Sequence, residues 1–488
     1  MPSKTSRSNA SKRKAAARVL SHLQTKPLTP SDTIWPQLDD YQRSVVEMAI
    51  KRKTLAAFAE QGTGKTWITA GVIERLRPSM SLLVVPLENI ETTWQELLAK
   101  HFNVVRSLDD ALAWQKAWAV PCVLLLHYQA INPKLLKRLR RVRWDLIVYD
   151  ESQRLKDRGS RLSRNAALLS ASGEYRLALS GTPMDRQPND LWAQFRFIRP
   201  SLLGTWKEFE DRYLEPINID LSKYKKGTVM WHRAMKRRMI ALRRRPFNQA
   251  MMPQLVDTLR PYCVRVTKEV LNLKPVDFRV HPIILRGAHR AAYDAMDGRM
   301  VIDWANVTAQ HAGTKRMKLR QICGGFVIND DGEVIHLGNA KLSRLTYLLR
   351  TLPKPVAVYC QFTHEIEAVA SIARKQKWRT DTLTGADRKR RPDISRAFQA
   401  GKIDVLVAQT KAGGVGIDLF RASQGIAYSL SESFIDSDQV WARLHRRGQE
   451  NTVTWHVLVV QDSVDSDQYK SLLSKSSATE HTLNHFKR

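Results

Sequence analysis

Glu60-Gln61-Gly62-Thr63-Gly64-Lys65-Thr66 follows the apolar run 55–59 and opens a stretch of helical spacing. A strand, a glycine-rich turn and a helix start, in that order, are the context of a phosphate-binding loop. Gly62 and Gly64 let the backbone turn so that its amides point at phosphate oxygens, and the helix N-terminus adds a favourable dipole. Gln61 and Thr63 complete the loop. In such a loop Lys65 reaches the β- and γ-phosphates and the Thr66 hydroxyl ligates Mg²⁺. ATP and Mg²⁺ are therefore the expected substrate and cofactor. Ala59 stands where the general pattern has its first glycine. The competing interpretation, a glycine-rich turn with a chance Lys-Thr pair, is disfavoured by the flanking strand and helix.

Outward from the loop, short apolar runs recur at 81–85, 123–126, 146–149 and 176–179, separated by segments of helical spacing. Runs of this length, rich in Leu and β-branched residues, predict buried parallel strands in an α/β domain. Asp150-Glu151 ends the strand Asp145-Leu146-Ile147-Val148-Tyr149. Ligands of open α/β sheets bind at the C-terminal ends of strands. Asp150 is expected to hold the metal and Glu151 to orient and deprotonate the attacking water. Alone such a pair says little; with Lys65 upstream it becomes a site. Ser180-Gly181-Thr182-Pro183 follows another short strand and suits a link to a second lobe, although an isolated tetrapeptide of this kind is only a turn.

The charge balance narrows the partner. Seventy-nine Lys and Arg stand against 47 Asp and Glu, a formal net charge of +32. Such an excess favours polyanions, above all nucleic acid, with an acidic membrane surface as the rival. No apolar run approaches the ~18 residues that span a bilayer. The four cysteines are widely spaced with no CxxC pair, which argues against zinc and for a reducing compartment.

Four segments are expected. Residues 1–30 read as a disordered basic arm, 31–201 as an ATP-binding lobe, 202–338 as a helical insertion and 339–488 as a second α/β lobe. Within the insertion, 222–245 holds ten Lys or Arg and no acidic residue, with Tyr224 and Trp231 interleaved. In the second lobe, apolar runs lie at 356–359, 405–407, 425–429 and 453–459. The last two dozen residues are polar and are expected to fray.

These motifs, in this order, resemble the superfamily 2 helicases and most closely the Swi/Snf-type DNA translocases. Gln42, in Leu38-Asp39-Asp40-Tyr41-Gln42, is similar to the adenine-reading glutamine of the family. Val85-Pro86, followed by Trp94, resembles a motif that touches the nucleic-acid backbone. Asp150-Glu151-Ser152-Gln153 replaces the usual Asp-Glu-Ala-His. The stretches 197–213, 319–322 and 358–362 resemble further signatures. Thr410-Lys411-Ala412-Gly413-Gly414-Val415-Gly416-Ile417-Asp418-Leu419 matches the glycine-rich motif, and Gln439-Val440-Trp441-Ala442-Arg443-Leu444-His445-Arg446-Arg447-Gly448-Gln449 the arginine-finger motif.

The resemblance implies two RecA-like doubly wound parallel-sheet lobes sharing one ATP. Gly416 and Asp418 would contact nucleotide. Arg443 and Arg446, three apart and expected on one helical face, would act on the γ-phosphate. Pro86, Thr182, Gln361, Thr410, Lys411, Lys236, Arg237 and Arg238 would contact nucleic acid. Arg388-Lys389-Arg390-Arg391 is a DNA-facing loop or a solvated charge run. The expected activity is ATP-driven movement along duplex DNA in repair, recombination or replication, in a nucleoid, cytoplasmic or nuclear setting. Little beyond the motor core is legible, which resembles stand-alone bacterial or phage members. The rivals are a strand-separating DNA or RNA helicase, a binding module on a degenerate ATPase fold, and a motor subunit of a larger complex.

Overall fold

The computed structural model describes residues 33–118, 121–184, 187–216, 221–243, 245–387, 389–414 and 417–484. The expected basic arm, Arg388 and Gly416 lie outside them. The chain divides into two units with the main boundary between Val266 and Thr267; residues 61–63 group with the second and 478–484 with the first.

In the first unit β1 (Thr54–Ala59), β2 (Met80–Val85), β3 (Val104–Val105), β4 (Cys122–His127), β5 (Trp144–Tyr149), β6 (Gly173–Ser180) and β7 (Cys263–Val266) form one parallel sheet, ordered β3-β4-β2-β5-β6-β1-β7. All six residues of β1 are buried. Ala56 and Phe58 join one apolar cluster, while Leu55, Ala57 and Ala59 join the other. Both faces are covered, which is why the strands read as unbroken apolar runs. Strands β5, β6 and β1 are adjacent and parallel, so the segments after Tyr149, Ser180 and Ala59 leave the same edge of the sheet.

The second unit holds β8 (Asp277–Ile283), two short antiparallel pairs, β9 (Val301–Ile302) with β10 (Val307–Thr308) and β11 (Phe326–Ile328) with β12 (Val334–His336), and then β13 (Val356–Cys360), β14 (Thr380–Leu383), β15 (Val405–Gln409), β16 (Gln424–Ala427) and β17 (Thr454–Val460). Its main sheet is parallel, in the order β14-β15-β13-β16-β17-β8. Val356, Val358 and Cys360 pack on one face, Ala357 and Tyr359 on the other.

Segment 202–338 differs from the expected helical insertion. It contains the helices Trp206–Tyr213, Val229–Arg243, Gly287–Arg299 and Ala312–Gly324, yet it also supplies an edge strand to each sheet, β7 and β8. An edge strand is paired on one side only and tolerates charge and proline. Accordingly β8 carries Arg279, His281 and Pro282 and is largely exposed. The polar tail is also more ordered than expected. Val464–Asn484 is a helix, anchored by Leu472 against Phe434, Val457 and Val459.

A polar chain crosses the sheet at β8, β17 and β16. Arg344 Nη2 donates to His281 Nδ1 (2.8 Å), His281 Nε2 meets His456 Nδ1 (2.9 Å), and His456 Nε2 meets Gln424 Oε1 (3.0 Å). The amide oxygen can only accept and the arginine can only donate, so both rings are neutral with Nε2 protonated. Burial, with His281 beside it, holds His456 down to about 4. The unfolded state, with the ordinary His value, then takes up protons first as pH falls below about 6.5. Stability is complete above that value and is lost on descent towards pH 4, by about 1 kcal/mol at pH 5 after allowance for solvent screening. Melting at pH 7.5 and pH 5 checks this, and His456→Gln should flatten the difference.

Candidate active site

Gly62 and Gly64 adopt φ of +90° and +82°, the left-handed region open to glycine at little cost. A Cβ on Gly64 would run into the Gln42 side-chain amide, so the loop rests against Gln42. That glutamine is buried, and its Oε1 accepts from Asp39 N (3.0 Å) in the capping box of helix Asp40–Arg52. Lys65 is buried as the first residue of helix Lys65–Leu76, and its Nζ donates to Ala59 O (3.1 Å). Thr66, next along, is half-buried.

Asp150 follows β5, and Trp94 Nε1 donates to its Oδ2 (2.9 Å). Its Oδ1 is buried without a hydrogen-bond partner among the described residues. Burial and the adjacent Glu151 push the carboxyl up to about 7, against the pull of the Lys65 charge and the Trp94 hydrogen bond. An orphaned buried carboxylate oxygen with a lysine close enough to act on it fits a metal-bound phosphate. On this ground Asp150, with Thr66, fits Mg²⁺.

Glu151 sits in the left-handed region at φ +50°. A non-glycine residue there signals a geometry enforced by its surroundings. Gln153 Nε2 donates to Glu151 Oε2 (2.5 Å), and Ser180 Oγ donates to Gln153 Oε1 (2.6 Å). In parallel, Ser152 Oγ donates to Gln194 Oε1 (2.9 Å) and Gln194 Nε2 to Pro183 O (2.6 Å). The two departures from the usual tetrapeptide, Ser152 and Gln153, therefore build two bridges to the Ser-Gly-Thr-Pro turn, of which the one through Gln153 starts from the Glu151 carboxylate. Thr182 is buried, its N donating to Ser180 Oγ (3.1 Å), and its hydroxyl has no partner among the described residues. Pro86 is buried too, and Trp94 turns inward to Asp150. Lys236 is exposed on helix Val229–Arg243; the side chains of Arg237 and Arg238 lie outside the described ones.

In the second unit β13 and β15 are paired with Cys360 beside Gln409, so Gln361 and Thr410 leave the sheet together. Gln361 Nε2 donates to Thr410 Oγ1 (2.5 Å), and Lys411 beside them is exposed. The arginines depart from the expected helical face. Helix Phe434–Trp441 ends before Arg443. Arg443 Nε and Nη2 donate to Gly414 O (3.0 and 2.6 Å) and Nη1 to Ile417 O (3.2 Å). Gln449 Nε2 donates to Phe420 O (2.8 Å) and Ala422 O (2.9 Å). These side-chain donors tie the stretch that follows the helix to backbone carbonyls in and just after the glycine-rich segment. Arg446 forms an ion pair with Asp418.

A model of the SNF2-related domain matches residues 41–326, more than half of the chain. The chain belongs to the SNF2-related family. The helicase conserved C-terminal domain matches 340–448 of this SNF2-related chain. An uncharacterized ATP-dependent helicase of Mycoplasma genitalium is 27% identical over 425 residues, 83% of this chain and 38% of that protein. The CHD3-type chromatin-remodeling factor PICKLE of Arabidopsis thaliana is 24% identical over 383 residues, 74% of this chain and 25% of that protein. The SNF2-related chain thus spans between a quarter and two fifths of these curated relatives. Among solved structures, the Sulfolobus solfataricus SWI2/SNF2 ATPase core in complex with dsDNA shares 23% identity, with 94% of each chain covered and a TM-score of 0.40. No helix among the described residues is long and apolar enough to cross a membrane.

One residue of the site, Gln194, was missed from sequence; it lies 42 residues from its partner Ser152 and carries no local signal. Gln153 was visible as a departure but not as a bridge, and Trp94 was read as part of a motif that touches the nucleic-acid backbone, whereas it lies 56 residues from Asp150 and donates to it.

Proposed function

We propose that the SNF2-related chain hydrolyses ATP and uses the cycle to move along duplex DNA. The observation that carries this is the common sheet edge from which the phosphate loop, Asp150-Glu151 and the Ser-Gly-Thr-Pro turn emerge, with one Asp150 oxygen buried and unpaired among the described residues. Lys65 would leave Ala59 O for the β- and γ-phosphates, Glu151 would orient the attacking water and take its proton, and Gln153 would keep Glu151 in place. Thr66 and Asp150 would hold Mg²⁺, which when bound neutralises charge on the phosphate oxygens. Arg446, in a partly exposed ion pair, is the arginine proposed to act on the transferring phosphoryl group; Arg443 is assigned to bracing the glycine-rich segment.

The net charge of +32 and the exposed Lys236 and Lys411 support a polyanionic track. The relatives' printed descriptions, a helicase and a chromatin-remodeling factor, support DNA as that track. Repair, recombination or replication is the proposed setting, in a nucleoid or nucleus.

Steady-state ATPase with no polymer, duplex DNA, single-stranded DNA or RNA tests the reading. Duplex DNA should stimulate most, and Lys65→Ala should lower the stimulated rate about 10²–10³-fold. Best stimulation by RNA or single strands would replace the translocase with a helicase. Polymer binding without Lys65-sensitive hydrolysis would leave a binding module.

A further inference from the structure

The Trp94 indole is fully buried among Val85, Ile90, Leu98 and Val148, and its one polar atom is spent on Asp150 Oδ2 at 2.9 Å. It stands in the turn Ile90–Gln95, which is π-helical. Expanded turns of this kind occur mostly as single turns, frequently at functional sites. The opposite oxygen, Oδ1, is buried with no partner among the described residues.

We propose that Trp94 is a positioning residue for Asp150, holding Oδ2 so that Oδ1 is the oxygen presented to the metal of a bound nucleotide. This rests on the nucleotide reading given above. The two oxygens of a carboxylate are equivalent until something distinguishes them, and the terminal torsion of aspartate is broad. A hydrogen bond to one oxygen stops that rotation. A neutral N–H donor does so without cancelling the negative charge the metal needs. Tyr128 completes the mounting from the backbone side, its hydroxyl donating to Asp150 O (2.5 Å). Groups that orient a metal-binding carboxylate contribute about 10–100-fold in metal affinity.

The test is a titration of the full chain with Mn²⁺ followed by electron paramagnetic resonance, with a non-hydrolysable ATP analogue present. Wild type, Trp94→Phe and Asp150→Asn are compared, beside affinity for the analogue in excess chelator. Trp94→Phe should weaken Mn²⁺ binding about 10-fold and leave metal-free analogue binding within about twofold. A smaller ring can loosen the core, so a second variant carries a benzothienyl ring at 94, which keeps the indole shape and lacks the N–H. It should weaken Mn²⁺ equally.

Wild-type metal affinity in the benzothienyl variant, with Asp150→Asn impaired, would overturn the proposal and leave the nucleotide reading standing. Equal losses with and without metal would mark Trp94 as packing only and overturn it too. Failure of the analogue to raise Mn²⁺ affinity in wild type would remove the nucleotide reading, and the proposal with it.

Discussion

Glu151→Gln is expected to lower ATP turnover about 10²–10⁴-fold while changing affinity for a non-hydrolysable ATP analogue by no more than about twofold. The substitution keeps shape and removes a proton acceptor. The backbone should survive it, because the left-handed conformation at Glu151 is held from several sides. Tyr128 donates its hydroxyl to Asp150 O (2.5 Å) and Glu151 O (3.4 Å), and Arg154 N donates to Glu151 O (3.0 Å). Gln153 and Ser180 fix the side chain. Turnover and equilibrium binding, measured on the same preparation, separate chemistry from binding. Turnover within tenfold of wild type would remove Glu151 from the role of base and leave it a structural neighbour of Asp150.

Lys341→Met is expected to destabilise the second unit by about 3–5 kcal/mol, a fall in melting temperature of roughly 10 °C. Lys341 Nζ lies 2.5 Å from Asp465 Oδ2, with side-chain exposures of 1% and 7%, and donates to Tyr428 O (3.0 Å). Burial works against the lysine charge, but Asp465, Cys323 and Glu365 outweigh it and hold its pKa above the ordinary value. Without the ammonium, Asp465 is a carboxylate buried with no counter-charge. Lys341→Met with Asp465→Leu should recover part of the loss, because it removes the orphaned Asp465 charge while the buried Glu365 still lacks the lysine. Denaturant unfolding of the two single variants and the double variant measures the coupling. An unchanged midpoint in Lys341→Met would show the pair to be solvated.

The central strands, β1, β2, β4, β5 and β6 in the first sheet and β13, β15, β16 and β17 in the second, were legible because sheets covered on both faces demand unbroken apolar runs. The phosphate loop was legible for a similar reason: its glycines, lysine and threonine are consecutive, so chemistry and spacing are both local. The edge strands were not: β3 and β7, of two and four residues, are too short to stand out, and in β8 and β14 the unpaired side lets polar residues, and in β8 a proline, replace the apolar pattern. The terminal helix Val464–Asn484 was hidden likewise, since its deeply buried apolar side chains, Leu472 and Leu483, stand eleven residues apart within a serine-rich stretch.

The sequence by itself determined the fold class, the order of the motifs and the identity of Lys65, Asp150 and Glu151 as the chemical candidates. Tertiary structure alone decided what those groups and their neighbours touch. Trp94 turns to Asp150 and distinguishes its two oxygens, Gln153 joins Glu151 to Ser180, and Arg443 spends its guanidinium on Gly414 and Ile417. Spacing along the chain predicts which face of a helix or strand a side chain shares. A hydrogen bond between residues tens of positions apart depends on which strands become neighbours, and that follows only once both faces of the sheet are packed.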